Sequence, residues 1–188
     1  MIVPSYKVEN ALHGYGMYNT ICVVPSGISL EQHRKRITPE QRLEKRRSLG
    51  IADDRIVLLN LGRLGTEKNV EELMRYFSAA AQRREDLMFL LVGDGPSRLS
   101  LEKMAETLSV ADRVIFTGMV KPEEVHEYYQ LGDVFVSAST SETQGLTYVE
   151  AAANGLPLLC KRDLCLKDVL IPGENGYEFT DEAEFLDG

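Results

Sequence analysis

The stretch Arg55-Ile56-Val57-Leu58-Leu59-Asn60-Leu61-Gly62-Arg63-Leu64-Gly65-Thr66-Glu67-Lys68-Asn69 decides the fold. Its first half is a continuous apolar run, as in a strand buried on both faces. Two glycines then bracket a cationic turn, and a helical pattern follows. Strand, turn and helix in that order open a parallel sheet covered by helices, and the alternation repeats downstream. Strands are expected at Arg55–Leu61, Leu87–Val92, Arg113–Phe116, Val134–Ser137 and Pro157–Cys160. Helices are expected near Asn69–Arg84, Ser97–Leu108, Pro122–Leu131 and Leu146–Asn154. Pro122 suits a first helical position, and Gly155 followed by Pro157 stops a helix and restarts extended chain.

Outward from this core the composition is that of one globular domain: 188 residues, 44% hydrophobic and 27% charged. A net charge of −8 argues against nucleic acid as a partner, because its phosphates require a basic face. Cys22, Cys160 and Cys165 have neither disulfide parity nor metal-ligand spacing, and His13, His33 and His126 form no zinc pattern. Met1–Lys7 lacks the basic stretch and apolar core of a signal peptide, and no apolar run reaches the roughly 20 residues of a membrane span. The cytosol is the expected compartment. Residues 1–30, with Gly14, Gly16, Pro25, Gly27 and one short apolar run at Ile21–Val24, read as a hinge or connector. Thr180–Gly188 is acidic and ends early in a helical pattern.

Two loops carry candidate chemistry. In an open parallel sheet, ligands bind at the carboxyl ends of the strands, near the switch in strand order. Gly62 and Gly65 carry no side chain and let backbone approach a ligand. Arg63 and Lys68 add two cations suited to phosphate oxygens, and the following helix N-terminus adds positive potential. An ordinary loop with two solvated cations would look the same. The turn lacks the Gly-Lys-Ser/Thr ending of a Walker loop and the three spaced glycines of a dinucleotide site.

The second loop is Ser139-Thr140-Ser141-Glu142-Thr143-Gln144-Gly145-Leu146-Thr147-Tyr148-Val149-Glu150. Amides at Gly145, Leu146 and Thr147 open the next helix and suit an anion. Glu142 in the loop and Glu150 one turn into the helix approach from different directions. A carboxylate accepts two donors and so suits vicinal hydroxyls. The plainer alternative is that both glutamates only favour a helix N-terminus.

Together these segments resemble the retaining glycosyltransferases of the GT-B class, in the family-4, or group 1, set. The resemblance rests on Gly-Arg-Leu-x-x-Glu-Lys at Gly62–Lys68, Val-Gly-Asp-Gly-Pro at Val92–Pro96, Phe-Thr-Gly at Phe116–Gly118, and Glu142 and Glu150 with seven residues between them. It spans about Ile21 to Phe179. Ser-Glu-Thr-Gln-Gly-Leu-Thr-Tyr-Val-Glu at Ser141–Glu150 is most similar to bacterial diacylglycerol glucosyltransferases; many relatives have Phe where Gln144 stands.

The resemblance implies an α/β fold: a Rossmann-like parallel sheet with helices on both faces, the C-terminal half of the GT-B architecture. Residues 21–188 would form the nucleotide-sugar-binding domain, cut short at its C-terminal end. Residues 1–20 would be a remnant of the acceptor-binding N-terminal domain or of the linker to it. It further implies that Arg63 and Lys68 hold the diphosphate of a UDP-sugar and stabilise it as leaving group. Glu150 would bind the ribose and Glu142 a hydroxyl of the transferred sugar. Backbone at Gly62 and Gly145–Thr147 would meet diphosphate and sugar, and Met119 and Val120 would read the base. Arg63, Lys68 and Glu142 are thus the expected catalytic set. Asp94 is expected to be structural. No metal and no cofactor beyond the nucleotide sugar are expected, and the missing N-terminal domain becomes an obligatory partner without which turnover is slight.

Seven cations lie between His33 and Arg47: Arg34, Lys35, Arg36, Arg42, Lys45, Arg46 and Arg47. With a lipid acceptor they suggest a peripheral site on the inner face of the cell membrane, at about 1 kcal/mol per residue near anionic lipid. A solvated helix with Glu40 and Glu44 interspersed is the alternative. Two other functions share the architecture: another GT-B enzyme, such as a nucleotide-sugar epimerase or a glycogen-type phosphorylase, and a non-catalytic nucleotide-binding module.

Overall fold

The computed structural model describes residues 1–188. In chain order the elements are β1 (Ile2–Val3), α1 (Tyr6–Gly14), β2 (Cys22–Val23), α2 (Leu30–Arg34), α3 (Pro39–Ser48), β3 (Ile56–Leu61), α4 (Val70–Arg83), β4 (Leu87–Val92), α5 (Arg98–Thr107), β5 (Val114–Phe116), α6 (Val125–Tyr129), β6 (Val134–Ser137), α7 (Leu146–Ala153), β7 (Leu158–Lys161), β8 (Gly176–Phe179) and α8 (Glu182–Asp187).

Six strands form one parallel sheet in the order β5-β4-β3-β6-β7-β8. Side chains alternate across it. Leu58, Phe89, Leu91 and Val136 face α4, α5 and α8, whereas Val57, Leu59, Leu90 and Phe135 face α6 and α7. Both faces are therefore covered, which is why β3 and β4 read as unbroken apolar runs. The chain builds outward from β3 to β5, then returns to place β6 on the other side of β3. That reversal is the switch point. Pairing of β3 with β6 covers only Leu58–Val134 and Leu59–Phe135. At the next position the Asn60 side chain takes over, donating to the Val136 carbonyl at 2.8 Å. Beyond it the strands part, and a crevice opens at their carboxyl ends.

The five expected strands and four expected helices are present, with ends shifted by one or two residues. Pro122–Leu131 is the exception: Pro122–Glu124 is a tight 3-10 turn, and the α-helix proper is only Val125–Tyr129. The sixth strand of the sheet, β8, and the small β1–β2 pair are additions that the sequence pattern did not announce. Residues 1–30 are also more structured than a connector. Ser5 caps α1, β1 and β2 pair in parallel, and the segment lies against the loop after β6. There Lys7 donates to the Thr140 carbonyl at 2.5 Å, Ser5 bonds to the Thr143 carbonyl, and Gln144 exchanges two bonds with the Ser26 backbone at 2.9 and 2.7 Å.

The basic stretch turns mostly inward. Arg42 and Arg46 converge on Asp133, Lys45 meets Glu127 at 2.5 Å, Arg47 pairs with Asp53, and Arg36 donates to carbonyls at the C-terminal end of α7. Arg46 is fully buried and also donates to the Leu131 and Arg55 carbonyls. These cations act as staples that hold α2 and α3 to the domain. Cys160 and Cys165 are buried free thiols, and Cys22 is exposed. No helix is long and apolar enough to cross a membrane.

Candidate functional site

The carboxyl ends of β3, β4 and β5 lead into turns that lie edge to edge. Gly62 donates to the Val92 carbonyl at 2.9 Å, Gly93 to the Gly118 carbonyl at 3.1 Å, and Leu64 to the Asp94 carbonyl at 2.9 Å. This stitching requires glycine at Gly93, where φ is +131° and an added Cβ would lie 2.0 Å from the Gly62 oxygen. At Gly95 an added Cβ would strike the Leu64 carbonyl at 2.4 Å. The result is a thin backbone floor under a cavity of about 630 Å³ lined by Leu61, Gly62, Arg63, Asp94, Met119, Val120 and Val125 among others. Such a volume suits a small-molecule ligand.

A smaller cleft adjoins it at the switch point, lined by Asn60, Gly62, Arg63, Lys68, Ser137, Ser139, Glu142 and Thr147 among others. Here the two loops singled out in the sequence meet. The Lys68 ammonium lies 2.6 Å from Glu142 Oε1, across 74 residues of sequence, with 29% and 17% of the side chains exposed. Gly62 and Arg63 line both hollows and so mark the passage between them. Arg63 reaches outward, 68% exposed, and approaches Glu67 at 3.9 Å. One crevice thus presents cations, a carboxylate and glycine backbone, the donor set for a diphosphate with hydroxyls nearby.

The remaining residues fall as follows. Met119 and Val120 form part of the wall of the larger cavity, and Thr147 lies on the cleft. Gly145, Leu146 and Glu150 line neither. Gly145 is the N-cap of α7 with φ +72°, packed so that an added Cβ would meet the Tyr148 ring at 2.4 Å; no side chain caps that helix. Leu146 begins α7, 38% exposed. Glu150 accepts a hydrogen bond from the buried Tyr129 hydroxyl at 2.7 Å. At Gly65 the space that a side chain would fill is occupied by the Glu67 carboxylate. Asp94 accepts from the Gly95 amide at 2.7 Å and from Arg98 at 3.1 Å, a turn-forming role, while also lining the larger cavity.

Sequence reading passed over Asn60, Val125 and Tyr129. Asn60 left a legible signal, the single polar residue in an otherwise apolar strand. Val125 and Tyr129 left none, because their relevance depends on where α6 packs.

An open, doubly wound parallel sheet with a polar crevice at its switch point defines a ligand-binding domain of the nucleotide-binding α/β class. Residues 41–185 match the family described as Glycosyl transferases group 1, and the chain belongs to that family. It is 38% identical over 171 residues to the alpha-monoglucosyldiacylglycerol synthase of Streptococcus pneumoniae, covering 90% of this chain and 39% of that protein. Against the synthase of the same name from Acholeplasma laidlawii it is 33% identical over 186 residues, covering 98% and 47%. The chain therefore spans less than half the length of these relatives. Among solved structures, Anabaena HepE in complex with UDP and glucose superposes with a TM-score of 0.87 at 21% identity, over 99% of this chain and 51% of that one. The fold is thus that of the GT-B glycosyltransferases, in their C-terminal domain.

Proposed function

We propose that this chain is the donor-binding half of a retaining, metal-independent glycosyltransferase. It would hold a nucleotide diphosphate hexose, UDP-glucose in the first instance, for transfer to a diacylglycerol or glycolipid presented by an N-terminal acceptor domain. The observation that carries the reading is the meeting of Lys68 and Glu142 in the cleft that continues past Gly62 and Arg63 into the larger cavity. The names of the two synthase relatives support the lipid acceptor, and the HepE complex supports UDP as the nucleotide.

In this reading the base occupies the larger cavity against the Met119–Val120 main chain, and Glu150 takes the ribose. The diphosphate crosses Gly62, with Arg63 and Lys68 on its oxygens and the α7 start at Gly145, Leu146 and Thr147 beside it. Glu142 takes a hydroxyl of the hexose. The bond from the anomeric carbon to the diphosphate breaks with its electron pair leaving on phosphate. The acceptor oxygen bonds to the same face of the sugar, and its proton passes to the departing phosphate oxygen. The protein's contribution is then charge placed in advance where negative charge develops. Arg63 and Lys68 provide the positive charge that a divalent cation provides elsewhere, so no metal or other cofactor is required. Membrane attachment would fall to Arg34 and Lys35, which make no ion pair; Arg36, the third cation without one, is taken up by carbonyls at the end of α7. Calorimetry of the chain against UDP-glucose, with and without EDTA, tests the donor site: saturable binding unaffected by chelation is expected. Unperturbed amides near Arg63 and Glu142 on adding UDP-glucose would overturn the assignment, and a robust transfer rate from this chain alone would contradict the need for an acceptor domain.

A further inference from the structure

Tyr129 ends α6 with no exposed surface. Its ring is flanked by His33 and Phe135, each at a centroid distance of 6.1 Å, which leaves it little room to turn. Its hydroxyl has two acceptors in reach: Glu150 Oε2 at 2.7 Å and the Thr147 carbonyl at 3.4 Å. A phenol has one proton to donate, and the shorter contact takes it. Burial, reinforced by the neighbouring Glu150 charge, pushes the phenol well above its ordinary pKa, so it stays a donor. The other carboxylate oxygen of Glu150 accepts no bond from the protein and is not among the sealed, unpartnered atoms. Glu150 is therefore fixed at one oxygen and open at the other.

The two helices also set its direction. Val125, one turn before Tyr129, lines the larger cavity, and Thr147, about one turn before Glu150, lines the cleft. The Tyr129–Glu150 pair thus lies about one helical turn from the lining of each hollow. We propose that Tyr129 is a positioning residue for nucleotide recognition: its hydroxyl anchors Glu150 Oε2 and thereby presents Oε1 to the ribose hydroxyls of a bound nucleoside diphosphate. This rests on the reading of Glu150 as the ribose contact. A carboxylate held in place before the ligand arrives gives up no side-chain freedom on binding, which is the source of the gain.

The test is calorimetry of the 188-residue chain with UDP and with 2′,3′-dideoxy-UDP. The parent should prefer UDP. Tyr129→Phe should weaken UDP by roughly three- to tenfold, the range of one net hydrogen bond, and leave dideoxy-UDP unchanged. In a Glu150→Gln background the same change should have no further effect on the preference. Equal weakening of both ligands by Tyr129→Phe would reduce Tyr129 to a packing role and overturn the inference while leaving the Glu150 reading intact. A parent that binds both ligands alike would overturn the Glu150 reading itself, and this inference with it. Should the Phe variant fail to fold, the phenol carbon resonance of isotope-labelled Tyr129 in the parent decides: it should shift with UDP and not with dideoxy-UDP, and the same shift with both would overturn the inference.

Discussion

Replacing Glu142 with alanine is expected to tighten the binding of UDP while weakening the preference for UDP-glucose. In the free protein Glu142 holds the Lys68 ammonium at 2.6 Å, in a pair that is only partly buried. An arriving phosphate has to compete with that carboxylate. A hydrogen bond from an ammonium to a phosphate oxygen is worth about 1.5–3 kcal/mol, and an ion pair with this much exposure about 0–1 kcal/mol. Lys68→Ala should therefore cost the difference, about 0.5–3 kcal/mol, or roughly 2- to 150-fold in Kd for UDP. Glu142→Ala removes the competitor and should gain up to about 1 kcal/mol, a tightening of at most roughly fivefold. With UDP-glucose the same variant also loses its contact to a sugar hydroxyl, so the affinity ratio of UDP-glucose to UDP should fall. Calorimetric titration of parent, both single variants and the double variant gives all the required numbers. If Glu142→Ala weakens UDP as much as Lys68→Ala does, or leaves the ratio unchanged, the exchange of partners at Lys68 is wrong.

Gly93→Ala forces a Cβ against the Gly62 carbonyl and should separate the turns after β3 and β4; loss of UDP binding with a lowered Tm is expected, and retention of both would show that the floor yields easily. Arg46→Ala takes from Asp133 one of its two arginines and from the Leu131 and Arg55 carbonyls a buried donor, and should cost about 1–3 kcal/mol, read by urea denaturation. Burial raises the Asp133 pKa, but bonds from the Val57 amide, Arg46 and Arg42 outweigh it and hold the group below its ordinary 3.8. Its contribution is therefore complete above the unfolded-state pKa and is lost as pH falls through the depressed folded value. Asp133→Asn should flatten the stability–pH curve in that acid range, and an unchanged slope would remove Asp133 from the account. Gln144→Ala, which removes two bonds to Ser26 from the loop that bears Glu142, should reduce UDP-glucose affinity more than UDP affinity in calorimetry. Equal losses would mean that the N-terminal segment does not shape the sugar side of the site.

What could be read in advance followed from local rules. The run Ile56–Leu59 and the wholly apolar Leu87–Val92 required strands covered on both faces, and the helical patterns between them required crossovers, so a parallel α/β sheet was determined by the sequence. The same holds for the chemistry of the two loops, since glycines, cations and carboxylates declare what they can bind by type alone. Tertiary structure alone decided which of them meet. That Lys68 lies against Glu142 depends on β6 returning to the side of β3, a choice made by packing of the whole sheet. Tyr129 reaches Glu150 only because α6 and α7 share one face, and residues 1–30 acquire their place through contacts more than a hundred residues away, with the loop after β6 and with Asp163 and Lys167. A side chain's type and its neighbours in sequence limit what it can bond to. Which distant partner stands within reach is set by burial and strand order, and these are properties of the assembled chain.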